Sequence, residues 1–201
     1  LLPIPKPYAI TGPYQVGTTV AHLTDSSRQE IYGDHPAAPR EIMVQAWYPA
    51  ESTDDHVQAQ WMPDIESAAP AIATYIDLPS FALNHLKYVK ANAFINAPPI
   101  AEKSPVLIFS HGWAGFKEQN IFQVEELASH GYTVVAINHT YGAILTVFPD
   151  GREIPRSPDA LPSGVTQAEY DLASNKLVRQ WVGDIGFVLD TLEKTDTNSA
   201  L

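Results

Sequence analysis

The sequence predicts an α/β fold with a parallel strand pair at its heart, on three observations. The first is the stretch Ser104 to Ala143, which reads as strand, crossover helix and strand. Val106-Leu107-Ile108-Phe109 is short and rich in branched and aromatic residues, and it ends in Ser110-His111-Gly112. That pattern predicts a strand buried on both faces, followed by a tight turn. From Glu118 to His130 apolar residues fall at Ile121, Val124, Leu127 and Ala128, one side of a helix that Gly131 ends from the C′ position. Tyr132 to Ile137 is a second apolar run, so the two strands lie parallel and helices cover the sheet. The second observation is a pair of alternating segments upstream, Gln15 to Leu23 and Arg40 to Tyr48, which reads as antiparallel strands. The third is a long one-sided helix downstream, Thr166 to Glu193.

Taken in order, Leu1 to Pro13 has prolines at 3, 5, 7 and 13 and is expected to be an extended surface arm. Its start, Leu1-Leu2-Pro3-Ile4-Pro5, is too short and proline-broken for an intact signal peptide and fits the beginning of a mature chain. In the first strand Val16, Thr18, Val20 and His22 alternate. In the second Ile42, Val44 and Ala46 share one face, with Met43 and Trp47 on the other. Asp25 to Pro39, rich in Asp, Ser, Gly and Pro, is expected to be a loop too long for a tight hairpin. Its Asp25, Glu30, Asp34 and His35 match no compact metal-binding loop and read as ordinary solvated acids. Pro49 to Pro99 is interrupted by prolines at 63, 70, 79, 98 and 99, which predicts irregular chain and short helices packed beside the sheet, placed to line a substrate entrance.

Beyond Ala143, the Pro149-Asp150-Gly151 turn between Val147 and Glu153 predicts a small hairpin over the end of the sheet. Thr166 with Glu169 forms a capping box for the long helix, whose apolar face is Leu172, Leu177, Val178, Trp181, Ile185, Val188, Leu189 and Leu192. Gly183 and Gly186 each lower helix propensity by about 1 kcal/mol relative to Ala, which suggests close helix-to-sheet packing there. Asn198 and Ser199 are expected in a loop. The 201 residues suit one domain with a sizeable core. Twelve Lys and Arg against 23 Asp and Glu, a net charge of −11, argue against binding nucleic acid through its phosphates. With no cysteine there is no disulfide framework, thiolate zinc site or cysteine nucleophile, and the redox compartment stays open.

The chemistry concentrates in the turn after Phe109. An α/β sheet places its ligands outside the carboxyl ends of its strands. There Gly112 lets the chain turn, and Trp113-Ala114-Gly115 can present amide N–H groups as an oxyanion hole requires. On local grounds His111-Gly112 serves equally well as a structural turn.

Several stretches in order resemble one family. They are Thr11-Gly12-Pro13-Tyr14 with Val16-Gly17, Arg40-Glu41-Ile42-Met43-Val44 leading to Trp47-Tyr48-Pro49, Phe109-Ser110-His111-Gly112, Leu127-Ala128-Ser129-His130-Gly131-Tyr132 through Asn138-His139, and Leu177-Val178-Arg179-Gln180. Together they resemble the N-terminal half of an α/β-hydrolase of the plasma-type platelet-activating factor acetylhydrolase family and its microbial esterase and polyester hydrolase relatives. The region from Glu51 to Ala97 matches least. The resemblance implies a serine ester hydrolase acting on lipid, acylglycerol or polyester substrates, with no metal or organic cofactor, and a secreted location.

Such enzymes carry the nucleophile in a Gly-x-Ser-x-Gly elbow, with the acid and the base after it. No such pentapeptide occurs here. The nucleophile, acid and His are therefore expected beyond Leu201, on a strand that pairs beside Val106 to Phe109, so that the sheet is incomplete without a C-terminal remainder supplied as a separate chain or further segment. Within this chain the resemblance implies that the Trp113 backbone N–H is an oxyanion donor. It also implies that His111 and Gly112 form the turn, and that Ala114, His139 and Tyr141 line the substrate site or stand just behind it, with His139 either at the rim or in the layer behind. The alternative is a non-catalytic lipid- or protein-binding module on the same framework.

Overall fold

The computed structural model describes residues 4–34 and 37–194. The start of the arm (Leu1 to Pro3), His35 of the acidic segment, and Asn198 and Ser199 lie outside the described residues.

Strands β1 (Gln15–Gln29), β2 (Pro39–Ala50), β3 (Gln58–Gln60), β4 (Lys90–Ile95), β5 (Val106–Ser110) and β6 (Thr133–Asn138) form one mixed sheet in the order β3-β4-β1-β2-β6-β5. β2 runs antiparallel to both β1 and β6, while β4 is parallel to β1 and β5 is parallel to β6. The parallel pair is joined by α2 (Ile121–Ser129), as the apolar spacing predicts, and Gly131 follows its end with φ +96°. The expected hairpin is present as β7 (Leu145–Val147) and β8 (Glu153–Pro155), turning at Gly151 with φ +86°. α3 (Gln167–Lys194) closes the described chain, and its capping box forms: Thr166 N–H donates to Glu169 Oε2 at 2.9 Å.

β2 is the axis of the core because both its faces are apolar enough to be covered. Ile42, Val44, Ala46 and Tyr48 pack with Val135, Ile137 and Val188 on the side of α3. Trp47 packs on the other side with Val124 and Ala128 of α2 and with Val134 and Ala136. Each fully buried branched side chain contributes about 1.5–3 kcal/mol. Glu125 of α2 accepts the backbone N–H groups of Asn92 and Ala93, tying the helix to β4, and burial pushes its carboxyl above the usual range. The described part of the arm lies along α2, with Thr11 N–H bonded to Glu126 and Tyr14 N–H to Ser129 O.

Four expectations are corrected. Asp25 to Gln29 is strand rather than loop, because Asp25 is held by Arg28 and Ser27, and β1 resumes pairing at Gln29 with Pro39 after a register shift. Past Thr18 the buried face of β1 switches, so that Val20 and His22 point outward while Asp25 is buried. Residues 49–99 hold α1 (Ile65–Tyr75) and a 3₁₀ turn (Asn84–Tyr88), but also the strands β3 and β4, and Pro70 lies inside α1 instead of ending it. β5 is not buried on both faces. It forms the edge of the described sheet, and Val106 and Leu107 are 48% and 37% exposed.

α3 also departs in detail. Leu177 and Val188 are buried, whereas Leu172, Val178 and Leu189 of the expected apolar face are exposed. The space over Gly183 is filled by the Arg28 guanidinium, which a Cβ would meet at 2.4 Å, and Gly186 faces nothing within 4 Å. Gly183 therefore admits a side chain of β1 close against the helix, as expected, whereas Gly186 makes no such contact.

Candidate functional site

The carboxyl ends of β5 and β6 lie side by side, and each runs into a residue in the left-handed region. These are Ala114 with φ +55° and Tyr141 with φ +65°. Such conformations in side-chain-bearing residues cost about 1–2 kcal/mol and gather at functional sites. After β5, Gly115 N–H donates to Gly112 O at 2.9 Å, closing a turn of type II form with Trp113 and Ala114 at its corners. The left-handed position is thus occupied by Ala114 and not by a glycine. Gly112 has no positive φ, and an added Cβ there would meet nothing within 4 Å. Its lack of a side chain leaves open space beside the Gly112–Trp113 peptide.

The three amides the sequence offered as donors are not equivalent. Ala114 N–H donates to Gly142 O at 2.9 Å and Gly115 N–H closes the turn, so both are satisfied within the protein. Trp113 N–H has no acceptor among the described residues. The trans geometry of its peptide fixes its direction. Gly112 O faces back toward His111 Nδ1, 2.7 Å away, so Trp113 N–H points the opposite way, out of the turn.

His111 is buried and its two nitrogens have distinct jobs. Nε2 accepts the backbone N–H of His139 at 3.2 Å, so Nδ1 carries the proton and donates to Gly112 O. Burial, with His139 and Lys117 adding to it, pushes its pKa down to about 3, and the ring is neutral at ordinary pH. It stabilises the turn, as the sequence suggests.

Of the two places expected for His139, burial excludes the rim and leaves the layer behind it. It is 0% exposed, with the Trp181 ring stacked on it at 4.6 Å and 11°. Its Nδ1 lies 2.8 Å from Asp184 Oδ2 and its Nε2 lies 2.9 Å from Ser110 Oγ. Burial lowers its pKa against the opposing pull of Asp184. A neutral ring beside an ionised carboxylate donates from Nδ1, and Nε2 then accepts the Ser110 hydroxyl proton. Tyr141 lies beyond it, its ring 6.4 Å from that of Tyr32, in a small cluster that includes Trp113 and Trp181.

Asp184 and Arg40 are the residues that sequence reasoning missed. Asp184 is completely buried in the middle of α3 and accepts from Arg40 at 2.7 and 3.1 Å, from Arg28 at 2.9 Å and from His139. Burial alone would raise its pKa, but the bonds from His139 and Arg40 outweigh this and hold the carboxyl well below the ordinary range. Arg40, also buried, reaches Glu30 at 2.5 Å and Thr140 O at 3.0 Å. An acid between Leu177 and Val188 on the inward face of a helix is the signal that was there to be read.

Ser110, His139 and Asp184 have the hydrogen-bond order of a catalytic triad. The arrangement is a poor proton relay. Asp184 is neutralised by two arginines, and the imidazole is sealed under Trp181, where burial disfavours its charged form. Among the described residues no group of three or more His, Asp or Glu side chains is arranged to hold a metal ion, and no helix is long and apolar enough to cross a membrane.

Comparison with known proteins bears on the fold and the family. The acetylhydrolase of Cavia porcellus named for platelet-activating factor is 31% identical over 133 residues, 64% of this chain and 27% of that protein. Its counterpart from Canis lupus familiaris is 31% identical over 105 residues, 50% of this chain and 23% of that protein. The matched stretch spans about a quarter of the length of these curated relatives. A solved ferulic acid esterase from Streptomyces cinnamoneus superposes with a TM-score of 0.71 at 27% identity, covering 92% of this chain and 48% of that one. The sheet is thus of α/β-hydrolase type. The family model for platelet-activating factor acetylhydrolase, isoform II, matches residues 5–199, and the chain belongs to that family.

Proposed function

We propose that this chain supplies the oxyanion corner of a carboxylic ester hydrolase working through a serine acyl-enzyme. The observation that supports it is the unpartnered Trp113 N–H, turned out of a strained turn at the carboxyl end of a parallel strand. A serine oxygen attacks the ester carbonyl, the oxygen of that carbonyl becomes the oxyanion that Trp113 N–H receives, the alcohol leaves with a proton, and water then releases the acid. Ser110 is not that serine, because its hydroxyl is bonded to a sealed imidazole. The nucleophile, its acid and its His come from a segment outside this chain whose strand pairs with the open edge of β5.

The substrates are acyl esters of lipid, glycerol or polyester type. The alcohol or acyl chain lies along the groove between α1 and the β7–β8 hairpin, about 820 Å³ in volume and lined by Tyr75, Ile144 and Arg156. Arg156 lies over the rings of Tyr75 and Trp113, at 5.0 and 5.9 Å, and so links the groove to the corner. A secreted location is part of the same reading.

The test uses the full-length protein that contains this chain. It should hydrolyse a short p-nitrophenyl ester in the presence of a chelator, and a fluorophosphonate should label a serine outside residues 1–201. Labelling of Ser110, or a full-length protein that binds lipid without hydrolysing any ester, overturns the proposal.

A further inference from the structure

We infer that His139, oriented by Asp184, is a positioning residue that holds the oxyanion corner in register; this rests on the function proposed above. Three polar groups of this one residue are engaged, and two of them grip consecutive residues at the end of β5. Its Nε2 takes the Ser110 hydroxyl at 2.9 Å, and its backbone N–H donates to His111 Nε2 at 3.2 Å. The third, Nδ1, is fixed on Asp184 at 2.8 Å. The first two bonds clamp the strand end from the neighbouring strand, and the third sets the tautomer that lets Nε2 act as an acceptor.

From there the geometry passes to the reacting amide in two steps. His111, forced to carry its proton on Nδ1, donates to Gly112 O at 2.7 Å and so sets the plane of the peptide whose other end is Trp113 N–H. α3 provides the platform for the clamp. Asp184 and Trp181 are three positions apart on one helical face, one bonding the edge of the His139 ring and the other stacking on its plane at 4.6 Å. Arg40 and Arg28 hold Asp184 from β2 and β1, so the carboxylate cannot swing away when the ring moves. An oxyanion donor works by being fixed before charge develops, and a misplacement of about 1 Å can lower the rate up to about 10²-fold. A buried device whose members do not touch the substrate suits that requirement.

The experiment compares Asp184→Asn and Ser110→Ala with the parent in the full-length protein. Asp184→Asn should lower kcat by about 10-fold or more with KM within about twofold, and should weaken a trifluoromethyl ketone, which forms a tetrahedral adduct, by the same factor. A purely structural role would lower only the melting temperature. Ser110→Ala removes one of the two grips and should show a smaller loss of the same kind. It decides the matter if Asp184→Asn fails to fold.

The clamp can also be read without activity. Imidazole ¹⁵N spectra of the same protein should show His111 and His139 as neutral Nδ1–H tautomers at neutral pH, with the His139 pattern lost in Asp184→Asn. If the parent hydrolyses no ester, the proposed function fails while the spectra still report on the clamp. Unchanged kcat and ketone affinity in a folded Asp184→Asn protein, or a His139 signal of the Nε2–H form, overturn the inference.

Discussion

At the scale of single residues, the proposed oxyanion donor is a backbone amide, so its side chain is dispensable in a way that its N–H is not. Under the proposed function, in a longer protein carrying this chain, Trp113→Ala should keep kcat close to that of the parent, altering mainly packing and the contact with Arg156. Trp113→Pro removes the donor and should lower kcat by about 10²–10³-fold. Proline is well suited to the first corner of a type II turn, so the fold need not suffer, and matched circular dichroism would establish this. Equal kcat in both variants would exclude Trp113 as the donor.

His111 makes a separate prediction for stability. Its pKa is pushed from 6.5 down to about 3 in the fold, so between those values the unfolded chain binds a proton that the native protein refuses. Stability from this group is complete above pH 6.5 and is lost as the pH falls toward 3, with a slope of roughly 1 kcal/mol per pH unit. Denaturant titrations at pH 7, 6, 5 and 4 should show that slope. His111→Asn, which can still donate and accept, should flatten it, and an unchanged slope would mean that another group is responsible.

At the scale of elements, α3 and the loop after β6 fit each other only because position 142 has no side chain. A Cβ at Gly142 would stand 2.6 Å from the Trp181 ring, the same ring that stacks on His139. Gly142→Val should therefore push α3 outward and destabilise the protein by about 1–3 kcal/mol. The damage should be local to the corner, seen as faster amide exchange at residues 110–115 and 139–142 with β1 and β2 still protected. Uniform loss of protection would show that α3 docks as part of one unit with the sheet.

At the scale of the whole molecule, the polarity of the sheet sets its liabilities. β5 presents Val106 and Leu107 at an edge with unpaired backbone groups, a pattern that recruits another strand. The described chain by itself should associate with rising concentration, and Leu107→Lys should suppress this in sedimentation velocity without changing the far-ultraviolet spectrum. If the variant associates as readily as the parent, the contact lies elsewhere, with the exposed Val178, Val182 and Leu189 of α3 the next surface to test.

The sequence by itself determined what depends on local pattern. The apolar runs around Leu107 and Val135, the Gly131 stop, the Thr166–Glu169 box and the Pro-Asp-Gly turn gave strands, helices and hairpin, because period, caps and turn chemistry act over a few residues. It also pointed to the turn at His111 to Gly115 as the candidate corner. Only the tertiary structure decided which amide there is free, since Ala114 N–H finds its acceptor at Gly142 and Gly115 closes the turn on Gly112. The continuation of β1 through Asp25 could not be read, because acidic residues favour loops, and Arg28, the neighbour that meets Asp25, is itself fixed by a distant carboxylate. Arg28 and Arg40, bridged by Asp184 some 150 residues away in sequence, are what make that stretch a strand. β4 was hidden for a related reason, as its pairing with β1 and β3 joins segments far apart in the chain. A charge on the inward face of a helix has no local meaning, and Asp184 acquired one only when folding placed His139 and two arginines around it.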